Sequence, residues 1–572
     1  MSCSPTTWSR PPSSSSAPSR RRPTASWTAD SIVSIQLVSR ARKAGLVITP
    51  RQVFEHKTVA ALAAVAEELA PDAAPAAADE GLGRIPATPV MRWLLERGGP
   101  IGRFNQSMLV NTPASLTEEH LTGAVQAVLD HHAALRARLV HDEDEDAPAL
   151  DAPAPGSARA ADLVRRIELS EGADLRELVA RESEAAAGRL DPEHGTMLQA
   201  VWFDAGPGAQ GRLLLVVHHL VVDGVSWRIL LPDLAAAWEA LAAGRTPEPE
   251  PVATSFRTWS EGLAEAAERR GAELPLWTRQ FDGIDPLLGE HPFDLARDTA
   301  ATERTLTRTL ETGLTAELLT SVPAAYHAGV NDVLLTAFAL AVADHRRRTG
   351  RAGDGSVLVD LEGHGREDVL PGADVSRTVG WFTSLHPVRL DPAVRDWAGL
   401  WAGGAPVGQA LKLVKEQLRA LPDHGLGFGL LRHLNPATGR RLAGLGEPQL
   451  GFNYLGRFPT AGGEPWTAAA EAEALGGSVD PAMPLTHTLE LNVLTEDHPT
   501  GPRLVATWSW PDRAVSEATV ADLADLWFRA LAVMAEHART ADTGGHTPSD
   551  LTLVSLSQAE IDLLEADWRI SK

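Results

Sequence analysis

The chain has a single cysteine, Cys3, among 572 residues. That excludes a disulfide framework and a thiolate zinc site. Basic charge is short as well. Against 75 aspartates and glutamates stand 52 lysines and arginines, and the net charge of -23 argues against a nucleic-acid surface. Long hydrophobic runs are missing: the most apolar helical stretch, Val333 to Ala343, is too short to span a bilayer and reads as a buried core helix. The N-terminus has no apolar stretch of the secretory kind. Its Ser, Pro and Arg content, with Arg20-Arg21-Arg22, reads as disorder over residues 1–29. A soluble, cytoplasmic protein, long enough for several cored domains, is the expectation.

What is present centres on Leu213 to Leu231, an apolar run interrupted by His218 and His219 and closed by Asp223-Gly224. Alternation along a strand sends neighbouring side chains to opposite sides, so the two histidines cannot share one task. An imidazole in such a run costs free energy unless it is hydrogen-bonded, and a satisfied core histidine is the plain reading of either one alone. The strand is expected to end at Asp223-Gly224. A second pair, His131-His132, lies in Leu121 to Leu139, where the apolar spacing is helical, and reads as structural. Ser115-Leu-Thr-Glu118 forms a capping box ahead of that helix. The acidic run His141 to Asp146 reads as a solvated loop.

Near the start, Ile32, Ile35, Val38 and Ala41 recur at helical spacing and Gly45 supplies a stop. With Leu46 to Ala60 and the helix after it, residues 30–70 form a small all-α pattern, followed by an Ala/Pro/Asp linker over 71–83. The segment resembles the second half of a peptidyl carrier domain. By that resemblance Ser31 bears covalent 4′-phosphopantetheine; Asp30 or Ser31 as a plain N-cap is compatible with this. Thr28-Ala29 stands where carrier domains usually have Gly-Gly, and no first helix is readable. Another reading frame through Ala25 to Ala29 can spell Phe-Leu-Asp-Gly-Gly, so a frameshift or misassigned start upstream of Asp30 is expected.

His218-His-Leu-Val-Val-Asp-Gly-Val-Ser-Trp227 resembles the active-site string of the condensation-domain superfamily of nonribosomal peptide synthetases. Its ending is similar to the epimerization branch. So are Pro86 to Trp93, Arg103-Phe-Asn-Gln-Ser107, Glu362-Gly-His-Gly-Arg366, Pro422 to Arg432 and Phe452-Asn-Tyr-Leu-Gly456, while Thr378-Val-Gly-Trp-Phe-Thr383 is similar to another signature of the superfamily. Of these, Thr378 to Thr383 reads as structural. The resemblance implies an α/β fold, a two-lobed sandwich like chloramphenicol acetyltransferase, with a first lobe over 84–250 and a second over 251–565. It implies epimerization of an L-aminoacyl or L-peptidyl thioester, presented by a carrier domain among other synthetase modules. His219 and Glu362 are the implied acid/base pair, with Tyr454 and Asn453 as their neighbours. His218, Asp223 and Arg366 are expected to orient the site, and no metal is expected. Two alternatives stay open: a condensation domain forming peptide bonds, and a non-catalytic carrier-docking module.

Overall fold

The computed structural model describes residues 37–38, 40–41, 44–48, 52–53, 58–68 and 80–570, apart from 142–147, 352, 461, 541–542 and 552–553. Ser31, the segment 1–29, most of the linker and most of the acidic run lie outside the described residues. In the carrier-like segment the Thr58 hydroxyl accepts from Ala61 N at 3.2 Å and caps the helix Val59–Val65. Leu62 of that helix packs with Ile48 and Val53. Beside these helical pieces β1 (Leu46–Val47) pairs antiparallel with β2 (Glu67–Glu68), a small departure from an all-α pattern.

The first lobe is built on a four-stranded sheet. Its strands are β4 (Asn105–Asn111), β7 (Val164–Glu168), β8 (Leu198–Asp204) and β9 (Arg212–His218), in the order β4-β9-β8-β7. Leu213, Leu215 and Val217 of β9 face one core, while Leu214 and Val216 face another. Both faces are therefore covered, which is why this strand reads as a continuous apolar run rather than an alternating one. A smaller sheet joins β3 (Gly83–Pro86) and β5 (Arg138–Val140) through β6 (Ala149–Ala152). The helix Phe256–Arg269 falls within the span 251–565 expected for the second lobe, yet it sends Phe256, Trp259 and Leu263 into the first lobe's core.

The second lobe is a six-stranded mixed sheet in the order β10-β15-β14-β13-β11-β12. These are β10 (Glu303–Leu310), β11 (Val357–Gly363), β12 (Ser384–Leu390), β13 (Leu450–Pro459), β14 (Leu489–His498) and β15 (Gly501–Pro511). The helices Val330–Arg348, Ala405–Arg419 and Glu517–Ala538 cover one face, where Phe338, Trp508 and Trp527 pack together. No single helix among the described residues is long and apolar enough to cross a membrane. The other face presents Asp360, Glu362, Asn453, Glu490 and Asn492 by strict alternation with core residues such as Leu361, Phe452 and Leu491. After β13 the chain runs back along the free edge of β4, where Ala469 N donates to Leu109 O and Asn111 N to Thr467 O, both at 2.9 Å. That crossing covers an exposed edge of the first lobe with chain from the second.

Two boundaries differ from the expectation. Strand β9 ends at His218, not at Asp223-Gly224, and His219–Val221 is a 3-10 turn. The cause is local: His218 Nδ1 accepts from Leu220 N at 3.2 Å and Nε2 donates to Ile101 O at 2.8 Å, so the ring captures an amide that a longer strand would need for its ladder. The helix Glu118–His131 is capped by Thr117, whose hydroxyl accepts from His120 N at 3.2 Å, and not by Ser115.

Because β3 pairs with β6 and Ile85 is 1% exposed, a chain shortened to begin at Glu80 is expected to keep a cooperative unfolding transition. One shortened to begin at Thr88 loses β3 and the Ile85 side chain, and is expected to be less stable by about 2–5 kcal/mol. Urea denaturation of both, read by tryptophan fluorescence, checks this; equal midpoints would refute the placement of β3.

Candidate active site

His219 stands at the first position after β9, where the change from strand to 3-10 turn swings its ring out of the sheet. Phe104 stacks on it with centroids 4.8 Å apart and planes 7° off parallel, and Trp381 lies against it at 4.6 Å. Trp381 belongs to the string expected to be structural, and it proves to be a wall of the site. Burial among these rings pushes the His219 pKa down to about 4, against a smaller upward pull from neighbouring backbone and from Asp223, so the ring is neutral at pH 7. Gln106 Nε2 lies 2.9 Å from His219 Nε2, and Trp227 Nε1 donates to Gln106 Oε1 at 2.9 Å.

Glu362 is the one exposed residue on a strand otherwise buried up to that point, though protein lies close enough around its carboxyl to disfavour the charge. Asn453 Nδ2 donates to its Oε2 at 2.9 Å. Behind it His487 Nε2 lies 3.2 Å from Asp360 Oδ2, with Nδ1 3.6 Å from Glu490 Oε2. Burial works against a charge on His487, but the carboxylates outweigh it and raise the imidazole well above its ordinary value. Burial would raise Glu490 too; His487, Thr486 and Asn492 overcome it and hold that carboxylate low. Glu362 is pushed up to about 7, first by burial and then by the Glu490 and Asp360 carboxylates, with only partial relief from His487. Three carboxyls share one imidazolium: burial raises Asp360 as well as Glu362, while Glu490 is held low.

The two ends of the site are tied by a buried ion pair. Arg366 Nη2 donates to Asp223 Oδ1 at 3.1 Å, and the two side chains are 1% and 5% exposed. Arg366 Nη1 also donates to Val375 O and Thr378 O, and the guanidinium lies 3.8 Å from the Phe382 ring centroid. Asp223 accepts in addition from Ser226 N at 2.7 Å and Phe382 N at 3.2 Å. Gly365 makes this turn possible: its φ is +67°, and a Cβ there would lie 1.7 Å from Phe382 O.

Tyr454 goes elsewhere. It lies on the helix-covered face of β13, opposite to Asn453, with its hydroxyl 3.0 Å from Thr495 Oγ1. The structure thus brings Asn453 to Glu362 and turns Tyr454 away, because adjacent residues on a strand point to opposite sides. Gln106, Trp381, Asp360, His487 and Glu490 belong to the site without having been singled out from the sequence. A cleft of about 830 Å³, counted out to open solvent, has Asp360, Trp93, Trp259, Phe428 and Leu385 in its wall. Leu385 is the cross-strand partner of Glu362, but neither Glu362 nor His219 lines this cleft. His131, His132 and Asp233 bring potential ligand atoms within 4.8 Å of one another. Arg377 already holds both oxygens of Asp233, at 2.6 and 2.7 Å, which makes the cluster an ion-paired strut.

Residues 89–543 match the Condensation domain family, and residues 26–66 match the Phosphopantetheine attachment site. The chain belongs to the condensation-domain family. A linear gramicidin synthase from Brevibacillus parabrevis is 37% identical over 544 residues, covering 93% of this chain and 7% of that protein. Surfactin synthase subunit 1 of Bacillus subtilis is 33% identical over 545 residues, covering 94% of this chain and 14% of that protein. The chain therefore spans only a small part of the length of these curated relatives. Among solved structures, the epimerization domain from the third module of tyrocidine synthetase B superposes with a TM-score of 0.68 at 28% identity, over 80% of this chain and 99% of that domain. The X-domain from teicoplanin biosynthesis shares the fold, with a TM-score of 0.57 at 22% identity, over 80% of this chain and 95% of that one. This is a condensation-superfamily domain of nonribosomal peptide synthetase type, and 4′-phosphopantetheine is the cofactor of the carrier segment before it. The capped helix Val59–Val65 with its Leu62 core fits such a carrier.

Arg366→Leu leaves Asp223 charged and buried without its partner, and is expected to cost about 3–5 kcal/mol in urea denaturation. Combining it with Asp223→Asn is expected to cost less than the sum of the two single changes. Strict additivity would show that the pair is not coupled.

Proposed function

We propose that this domain inverts the α-carbon of an aminoacyl or peptidyl thioester presented by a carrier domain, converting the L to the D form in nonribosomal peptide assembly. The observation that carries the reading is a pair of proton-transfer groups with opposite resting states on the two lobes. His219 rests as a neutral imidazole, while the Glu362 carboxyl titrates at about 7. An α-proton beside a thioester is weakly acidic, so a base must touch it and the developing enolate must be stabilised. In the reading offered, His219 takes the proton from one side and the C–H electron pair moves onto the carbonyl oxygen. Protonated Glu362 then delivers a proton to the other side of the same carbon. The site is left with imidazolium and carboxylate, the state that accepts the opposite enantiomer, so atoms and charge balance without a further reactant.

Asn453 orients the Glu362 carboxyl through its 2.9 Å bond. Tyr454 acts at a distance, bracing β13 through Thr495. Asp223 and Arg366 hold the turns that carry the two groups, and His218 anchors the first of them to Ile101. The Glu362-Gly-His-Gly-Arg366 string and the likeness to the tyrocidine epimerization domain support the same reading. Peptide-bond formation is the second reading, favoured by the match of residues 89–543 to the condensation family as a whole. It calls for amide product from two loaded carriers and no exchange of the α-proton.

Solvent deuterium wash-in at the α-carbon, begun separately from L and D thioester, separates these readings. His219→Ala and Glu362→Gln are each expected to abolish inversion, while each still exchanges the α-proton of one enantiomer. Full inversion by a folded Glu362→Gln protein would defeat the two-group scheme.

The pH dependence follows from the same two groups. The competent form has neutral His219 and protonated Glu362. kcat/KM is therefore expected to be bell-shaped, falling below about 4 as His219 takes up a proton and above about 7 as Glu362 loses one. An alkaline limb that persists unchanged in the residual exchange of Glu362→Gln would remove Glu362 from the assignment.

A further inference from the structure

Glu362 begins a straight row of side chains across its sheet. The register pairs Leu361 with Phe452 and so carries Glu362 onto Asn453, to which it is bonded at 2.9 Å. Asn453 lies beside Asn492, Asn492 beside Thr507, and Thr507 beside Thr307. The row therefore runs from β11 through β13, β14 and β15 to the edge strand β10. Its side chains point away from the helix-covered core, because their strand neighbours Phe452, Leu491, Ala506, Trp508 and Leu306 pack into that core. At about 4.8 Å per strand, Glu362 and Thr307 are about 19 Å apart.

Beyond Glu362 the row carries no charge, only two amides and then two hydroxyls. Asn453 and Asn492 each turn the NH2 end to a carboxyl group, that of Glu362 at 2.9 Å and that of Glu490 at 2.8 Å. Both Oδ1 atoms are left as acceptors, and no donor among the described residues meets either of them. The Thr307 and Thr507 hydroxyls lie 3.1 Å apart and bond each other, which leaves one hydroxyl proton over. A sheet face turned to bulk water is the plain explanation of such a row, but protein closes in on this one. Glu303, on the same side of β10, is raised first by burial and then by Glu490. Ala300 and Ala301, just before β10, donate to the carbonyls of Met483 and Pro481, and Met483 packs into the first lobe's core. The row is thus a floor beside the first lobe, half-buried as far as Thr507 and exposed at Thr307.

Spaced acceptors followed by hydroxyls suit a chain of secondary amides, whose N–H groups need acceptors and whose carbonyls need donors. Two such chains lead away from an α-carbon held on a carrier: the pantetheine arm through the thioester, and a peptide through the amino nitrogen. Charge distinguishes them. The arm ends in a phosphate, and the row is flanked by Glu490 and Glu303. Basic side chains gather elsewhere on this side of the sheet. Arg228 lies 6.0 Å from the ring centre of Phe458, which neighbours Glu496, and Arg503 lies beside Glu496 in turn, four residues along β14 from Asn492. A peptide is neutral along its length, and its terminal ammonium is attracted by the same carboxylates that repel phosphate. About 19 Å accommodates five or six extended residues, and the exposed end at Thr307 lets a longer chain continue.

We propose that Asn453, Asn492, Thr507 and Thr307 form a track for the amide chain upstream of the residue held at Glu362, which makes the substrate a peptidyl rather than an aminoacyl thioester. The proposal rests on the reading in which Glu362 meets the α-carbon.

The test measures binding apart from turnover, by calorimetry on the full chain with unreactive probes in which an amide nitrogen replaces the thioester sulfur. The probes are L-phenylalanyl pantetheine amide, its alanyl-alanyl-L-phenylalanyl counterpart, and the same two acyl groups on cysteamine, which lacks the rest of the arm. The parent chain is expected to bind the tripeptidyl probe at least about tenfold more tightly than the aminoacyl one, as two or more added hydrogen bonds would allow. Thr307→Val combined with Thr507→Val keeps the side-chain shape and strand preference, and is expected to weaken the tripeptidyl probe about tenfold while leaving the aminoacyl probe within about twofold. Thr507→Tyr, which fills the track, is expected to abolish the advantage of the tripeptide. Equal binding of the two probes by the parent, or binding of neither, overturns the proposal. So does a loss in the valine variant that falls on the aminoacyl pantetheine probe and vanishes on cysteamine, since the row would then hold the arm. If Thr507→Tyr fails to fold, the valine variant decides alone. Deuterium wash-in with the matching thioesters separates the two levels: a parent that prefers the tripeptidyl probe yet exchanges no α-proton sinks the epimerization reading and leaves the track standing.

Discussion

The buried ion pair between Asp223 and Arg366 is the contact on which the rest of the site depends. Two charges removed from water gain little net stability from each other, because desolvation offsets their attraction. What they gain is definition. Asp223 has every reachable lone pair occupied by Ser226, Phe382 and Arg366, and Arg366 is further fixed by two carbonyls and the Phe382 ring. Such a fully bonded pair tolerates one arrangement, and any relative slip of the lobes strands a charge in the interior. Neighbouring features conform to it. Gly365 leaves room for Phe382 O, and Gly380 N lies 3.3 Å from Ser226 Oγ.

The two ends of the site reach their protonation states by different means. His219 is kept neutral by apolar walls, with Phe104 and Trp381 in the place of water. Glu362 is made protonatable first by burial and then by crowding with its own kind. Asp360 and Glu490 compete for the single imidazolium of His487, and the third carboxyl then holds its proton more tightly. The contrast follows from position. A ring at the mouth of a turn can be sandwiched, whereas a carboxylate on a strand has neighbours fixed by alternation, and on this sheet face they are Asp360, Asn453, Glu490 and Asn492.

Much of this was legible in the sequence where the working residues sit in one unbroken string. The resemblance carried the fold, and the family match and the structural neighbours agree with it. His219 and Glu362 were named from contiguous strings, and the structure sets each at or beside the end of a strand. The unread parts share one property: their significance comes from residues distant in the chain. His487 gains its role only when β14 is laid beside β13 and β11, since Asp360 is 127 positions away. The pattern Glu490-Leu-Asn492 on one strand face was a signal, but of a polar face, not of a partner. Trp381 reads as a packing residue until the strap carrying it is tied to Asp223. Tyr454 shows the opposite error, for a string shared with a family names both neighbours although alternation lets only one face the site. The end of β9 could not be read because a histidine ring, not a turn residue, terminates it.

His219 and Asp223 are four positions apart in the chain, and so are Glu362 and Arg366. Each of the two groups proposed to transfer protons is thus tethered to the clamp by four residues, one span leaving β9 and the other ending β11. Four residues span at most about 14 Å even fully extended, so neither group can drift far from the ion pair without breaking it. This contact adds to the helix Phe256–Arg269 and the crossing over β4 in joining the two lobes. The proposed inversion would place a strict demand on that register, since a base and an acid on opposite sides of one carbon must both stay within hydrogen-bond reach of it. A single clamp midway along the chain path between the two groups answers that demand with fewer fixed parts than two separately anchored loops would.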